Sequence, residues 1–182
     1  MSNTPTPRDL PGTGTTMDPT MNMTVNVSEL RDALDDGRFV VLTSGTGQLR
    51  ARPLTLLEVD ETGTLWFLVD NNEEWVEALQ LDASVNVNAD RQSDGRWVSV
   101  SGDADTTQDR QRIDDLWTPA AQAFWDSKDD PGIAALAVRP VTVDIWQSHR
   151  STMGRIFAIG KAALGGSADD IGQHRTLHIA AD

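Results

Sequence analysis

Two short stretches alternate apolar and polar residues without a break: Ser84-Val85-Asn86-Val87-Asn88 and Trp97-Val98-Ser99-Val100-Ser101-Gly102. A period of two turns one set of side chains to a core and the other to solvent, as in a half-buried strand. Asp94-Gly95 between them is a turn. Around this pair the chain keeps offering strands. Phe39 to Thr43 is β-rich, Gly45-Thr46-Gly47 is a turn, and Gln48 to Val59 reads as a long second strand in a hairpin with the first. Asp60-Glu61-Thr62-Gly63 is the next turn and Thr64 to Val69 the third strand. Ile133–Val138 and Val141–Trp146 read as two strands around Arg139-Pro140, and Leu177-His178-Ile179 as a final short one.

Helical spacing is confined to short pieces between these strands. Ser28 opens a short helix with a partial capping signal, and Gly37 ends it. In Glu73 to Leu81 the residues Trp75, Val76, Leu79 and Ala83 share a face, with Glu73 and Glu74 in the first turn, where the helix dipole favours acids. Asp109 to Trp117 is amphipathic through Ile113, Leu116 and Trp117, and Thr118-Pro119 starts a second helical turn through Trp125. Met153 to Leu164 reads as a last helix, ended by Gly165-Gly166. Six or seven antiparallel strands with short peripheral helices predict a mainly β fold, a small β-barrel.

Residues 1–24 lack apolar periodicity and are rich in Thr, Pro and Gly, so they are expected to be a disordered tail before one folded domain over 25–182. The 182 residues carry 15 basic and 28 acidic side chains, a net charge of −13, and the tail contributes only −1 of it. That excess argues against a nucleic-acid binder, which needs clustered Lys and Arg. The absence of Cys excludes disulfides, thiolate catalysis and Cys-based metal sites. No stretch has the ~18 consecutive apolar residues of a membrane span, and the first residues do not resemble a signal peptide. A cytoplasmic protein with no membrane partner is the expectation.

Several patterns that could carry chemistry are better read otherwise. Gly45-Thr46-Gly47 lacks the phosphate-loop pattern and leads into a strand. Asp90 to Gly95 has no carboxylate at the twelfth place of a calcium loop, which is Ser101. His174 and His178 would share a face of a helix, but no third ligand is placed, and no metal site is expected. Neither Ser148-His149 nor Ser151 sits in a nucleophile elbow. Arg50 and Arg52 are more informative. Two apart on a strand, they project from one face. Two guanidiniums facing together need an anion between them: a phosphate, which suits the Arg fork, or one of the abundant Asp side chains.

Taken in order, Arg50-Ala51-Arg52-Pro53-Leu54, Glu58-Val59-Asp60, Gly63-Thr64-Leu65-Trp66-Phe67, Val85-Asn86-Val87, Val98 to Gly102 and Leu116-Trp117-Thr118-Pro119 resemble one family. They are similar to the pyridoxamine 5'-phosphate oxidase-like FMN-binding split barrels, and within them to the general stress protein subgroup. Phe157 to Ala163, Gly165 and Asp170 to His174 resemble that subgroup too. The resemblance spans roughly residues 25–180. It implies a six-stranded antiparallel split barrel with a C-terminal helical extension, forming a homodimer with two flavin sites at its interface. It also implies FMN or FAD as cofactor. Arg52, with Arg50, would approach the phosphate, and Pro53, Leu54 and Thr55 would run beside the ring. Leu68 and Val69 would border the cofactor. Trp97 falls where the wider family often has a Gln near the ring, and Trp146 where the oxidase branch has a flavin-contacting Trp.

One departure stands out. The family pattern after the third strand places a Ser and a Lys on the flavin phosphate; those places here are Glu73 and Trp75, with Glu74 between them. A carboxylate near a phosphate is repulsive, by ~4 kcal/mol for two unit charges about 4 Å apart at an effective dielectric of 20. Trp75 can stack on a ring or serve the core. Two functions follow. One is a flavin-dependent oxidoreductase linked to the general stress response, with no side chain standing out as general acid or base. The other is a non-catalytic dimeric ligand-binding or stress module with a degenerate phosphate site, or a haem- or deazaflavin-binding variant. The Arg-His-Arg type pattern that grips pyridoxal phosphate is missing, with His149-Arg150 its nearest trace, so genuine pyridoxamine phosphate oxidase activity is not expected.

Overall fold

The computed structural model describes residues 27–34, 38–45, 47–91, 95–148 and 172–178. The elements run α1 (Val27–Ala33), β1 (Arg38–Ser44), β2 (Arg50–Leu56), β3 (Glu58–Val59), β4 (Leu65–Asp70), α2 (Glu74–Ala78), β5 (Ser84–Arg91), β6 (Arg96–Thr107), α3 (Arg110–Leu116), β7 (Ile133–Ser148) and β8 (Gly172–His178). A 3-10 turn at Ala121–Ala123 lies between α3 and β7. The strands form one antiparallel sheet in the order β2-β1-β5-β6-β7-β4-β3, with β8 added to β7.

The sheet closes on itself through one bent segment. The long strand expected over Gln48–Val59 breaks at Leu57: β2 pairs with β1, and β3 pairs with β4 at the far end of the order. The Leu57 N–H donates to the Trp66 carbonyl at 2.9 Å, which continues the pairing through the bend. Counting β2 and β3 as one bent strand gives a ring of six, with β8 as an accessory to the outer half of β7. The fold is a mainly β split barrel of antiparallel strands.

Alternation explains the core. Val85, Val87 and Ala89 on β5 and Val98, Val100 and Ala104 on β6 are buried, while their polar neighbours face outward. They meet Leu42, Leu56, Leu65 and the fully buried Phe67 inside the barrel. The first half of β7 does not alternate: Ile133 to Val138 is buried on both faces. Ala134, Leu136 and Val138 join the barrel interior, whereas Ile133 and Ala135 pack under Ile113 and Leu116 of α3. A strand covered on both faces reads as a continuous apolar run.

Four expectations need correction. Val141–Trp146 is not a separate strand: β7 runs unbroken through Arg139-Pro140, because the register shift between Ser101 and Gly102 on β6 lets Gly102 oppose Pro140. A Cβ on Gly102 would stand 2.2 Å from the Arg139 carbonyl oxygen, so only glycine fits this crossing. Ser28 lies inside α1 and not ahead of it. The Glu73–Leu81 helix shrinks to the five residues Glu74–Ala78, followed by turns. The final strand, expected over Leu177–Ile179, starts earlier as β8 at Gly172 and carries His174 and His178. The tail of 1–24, the helix over 153–164, His149-Arg150 and the Gly37 stop lie outside the described residues.

Candidate functional site

Where the barrel splits, between β2 and β4, a cavity of about 610 Å³ opens. One wall is β2, with Arg52, Pro53, Leu54 and Thr55, joined by Phe39 of β1. The opposite wall is Leu68, Val69 and Asp70 at the end of β4. Glu73 and Trp75 close one end from α2, and Thr118, Ala121, Phe124 and Trp125 border it from the segment after α3.

Strand alternation sets what each residue offers. Arg52 shares a strand face with Leu54 and the buried Leu56, so its stem enters the mouth of the barrel. There its Nη1 donates to Ser44 Oγ at 2.8 Å, and its guanidinium carbon lies 4.2 Å from the centroid of the Trp75 ring. Ser44 is a buried polar residue, and Trp75 packs against the barrel core. The cation is thus held from two sides before any ligand arrives. Burial lowers the Arg52 pKa, the carboxylate of Glu73 raises it, and Arg50 lowers it again. It stays charged across the physiological range, because Arg starts so high.

Glu73 is the N-cap residue of α2, extended in backbone, and its side chain makes no capping bond. It lines the cavity beside Asp70, whose Oδ1 accepts from Asn72 N and Nδ2 at 2.9 and 2.8 Å. Among the described residues, Arg52 is the single cation in the lining, against these two carboxylates. Thr118 Oγ1 is buried at the cavity border with no hydrogen-bond partner among the described residues. The remaining surface is mostly aromatic and aliphatic: a slot with one cation, two anions and one hydroxyl without a partner among the described residues.

Seven of the ten residues singled out in the sequence therefore meet in one place: Arg52, Pro53, Leu54, Thr55, Leu68, Val69 and Trp75. Arg50 points from the same strand face but is exposed and outside the lining. Trp97 and Trp146 lie directly opposite one another across β6 and β7, 40% and 39% exposed, on the outer face of the sheet and outside the cavity lining. Sequence reasoning missed Phe39 and the 118–125 border. The sequence signal available for the latter was the adjacent aromatic pair Phe124-Trp125 between Pro119 and the acidic stretch that follows, and the structure leaves Phe124 73% exposed.

Comparison with known proteins fits this architecture. A family model described as pyridoxamine 5'-phosphate oxidase like matches residues 26–170. Protein bli-3 of Neurospora crassa is 21% identical over 164 residues, covering 83% of this chain and 78% of its own. Among solved structures, a general stress protein 26 from Bacillus anthracis superposes with a TM-score of 0.59 at 15% identity, over 65% of this chain and 92% of that one. A general stress FMN/FAD binding protein from Xanthomonas citri superposes with a TM-score of 0.60 at 26% identity, over 69% of this chain and 89% of that one.

Proposed function

The chain belongs to the pyridoxamine 5'-phosphate oxidase-like family, and on that premise we propose that the slot between β2 and β4 binds the ring of a flavin, FMN or FAD. The observation that carries the reading is the slot itself. Its volume, about 610 Å³, lies within the ~300–1,000 Å³ of ordinary cofactor sites, and a few polar groups converge on a largely apolar lining. The relative from Xanthomonas citri, which is described as binding FMN/FAD, supports the same assignment.

The fit of the group to these residues is uneven. The ring end fits: Leu54, Leu68 and Val69 offer apolar surface, and among the described residues Thr118 Oγ1 lacks the partner that a ring heteroatom would supply. The phosphate end has Arg52 alone, already engaged by Ser44 and Trp75 and opposed by Glu73. When bound, the flavin supplies hydride and single-electron chemistry that no side chain here provides. Leu54, Leu68 and Val69 would hold the ring, and Arg52 would set a fixed positive charge beside it.

The reading extends to a flavin-dependent oxidoreductase linked to general stress, working in the cytoplasm as a homodimer. No helix among the described residues is long and apolar enough to cross a membrane. The outer sheet face, with Phe39, Val41, Trp97 and Trp146 exposed, is the surface on which a second copy would dock. Trp97 and Trp146 then reach a flavin only across that interface. The test is the flavin content of the purified protein. A yellow preparation releasing FMN or FAD on denaturation is expected; a colourless one that takes up neither rules the reading out, and a Soret band would indicate haem.

A further inference from the structure

We propose that Glu73, with Asp70, sets the slot against a terminal phosphate, so that the ring is recognised largely without its phosphate and riboflavin binds about as well as FMN. The inference rests on the flavin reading above and concerns which form of that ring the slot accepts. It comes from the charges that share the cavity. Arg52 contributes +1, and Asp70 and Glu73 contribute −1 each, so the lining is net negative before any ligand enters. Arg50, the nearest further cation on that strand face, lies outside the lining.

Arg52 is also partly engaged already, although its remaining N–H donors stay available. Its Nη1 is committed to Ser44 Oγ at 2.8 Å, and one face of its guanidinium is covered by Trp75. Ser44 and the Trp75 backbone belong to the barrel wall and to α2, so moving Arg52 costs both contacts. Glu73 is the movable part of the balance. It is exposed, makes no capping bond, and stands at the rim. Asp70 is tied to Asn72 and structures the turn after β4. A dianionic phosphate monoester therefore meets one partly engaged cation and two carboxylates, whereas the neutral hydroxyl end of riboflavin meets no charge repulsion.

The experiment is a fluorescence-quenching titration of riboflavin and of FMN, each against the full-length protein and against Glu73→Gln. The wild type is expected to bind the two ligands within about threefold of one another. E73Q is expected to tighten FMN by about tenfold while leaving riboflavin unchanged. Because Glu73 is exposed and uncapped, the glutamine is not expected to disturb folding, and Glu73→Ala serves as a second variant that must move FMN in the same direction. A wild type that prefers FMN by more than about a hundredfold, with a ratio unchanged in both variants, overturns the inference and leaves the flavin slot standing. Failure of all three proteins to bind either ligand overturns both.

Discussion

The Arg52 guanidinium carbon lies over the Trp75 ring, 4.2 Å from its centroid, joining the bent edge strand of the barrel to the short helix that closes its mouth. The contact crosses the split in the sheet. Ser44 holds the same side chain from below, at 2.8 Å. A half-buried cation–π pair of this kind is worth about 0.5–2 kcal/mol. A double-mutant cycle with Arg52→Met and Trp75→Leu should give a coupling energy of about 1 kcal/mol in urea unfolding. Strict additivity of the two changes would show that the stacking does not contribute.

Asp60 organises the turn after β3. Its Oδ1 accepts from Thr62 N, Thr62 Oγ1 and Thr64 N at 2.8, 2.7 and 3.0 Å, and its Oδ2 accepts from Trp66 Nε1 at 2.8 Å. Burial pushes this carboxyl up, but the four donors more than offset it and hold it below the usual Asp range. A carboxyl lowered in the folded state stabilises fully above its unfolded value, about pH 4, and loses that contribution as the pH falls through the folded value. Asp60→Ala should cost about 1–3 kcal/mol at pH 7, since Trp66 and Thr64 lose their acceptor. The wild-type and D60A urea midpoints should draw together as the pH drops below the unfolded carboxyl value of about 4. A gap that stays constant with pH would contradict this.

Gly102→Ala places a methyl group 2.2 Å from the Arg139 carbonyl oxygen and 3.0 Å from Pro140 Cα. Both obstacles are backbone, so β6 and β7 must separate. We expect a loss of about 1–3 kcal/mol in thermal or chemical unfolding, with far-UV circular dichroism unchanged at 25 °C. A neutral substitution would mean that the strands do not approach this closely.

Phe67→Ala empties the fully buried centre of the barrel, between strands fixed on both sides by β3 and β7. The expected cost is about 3–5 kcal/mol by urea unfolding. A value below about 1 kcal/mol would place Phe67 outside the packed core.

The fold was legible wherever alternation was local. Val85, Val87, Val98 and Val100 mark one face of two paired strands, and they are buried as their spacing predicts. The errors came where tertiary pairing overrides a local signal. Pro140 reads as a break, yet a bulge at Val141, next to it on β7, absorbs the irregularity without interrupting the strand. Leu57 gives no sign that the chain will bend from one edge of the sheet to the other, because the bend is set by pairing to β1 on one side and β4 on the other. The same limit applies to the slot. The Arg-Pro strand and the end of β4 were visible as motifs, but Phe39 and Thr118 enter through long-range packing that no spacing rule carries. Trp97 and Trp146 follow their alternation faithfully, and that puts them on the outer face together.

The central claim is that a flavin ring lies in the slot between β2 and β4. It is tested most directly by titrating riboflavin fluorescence with the wild type and with Ala120→Trp, which fills the slot from an exposed position on its border. The account predicts quenching by the wild type with a Kd of about 10 μM or below, and at least tenfold weaker binding by A120W, about 1.4 kcal/mol. Equal binding by the two proteins, or no quenching by the wild type, would contradict it.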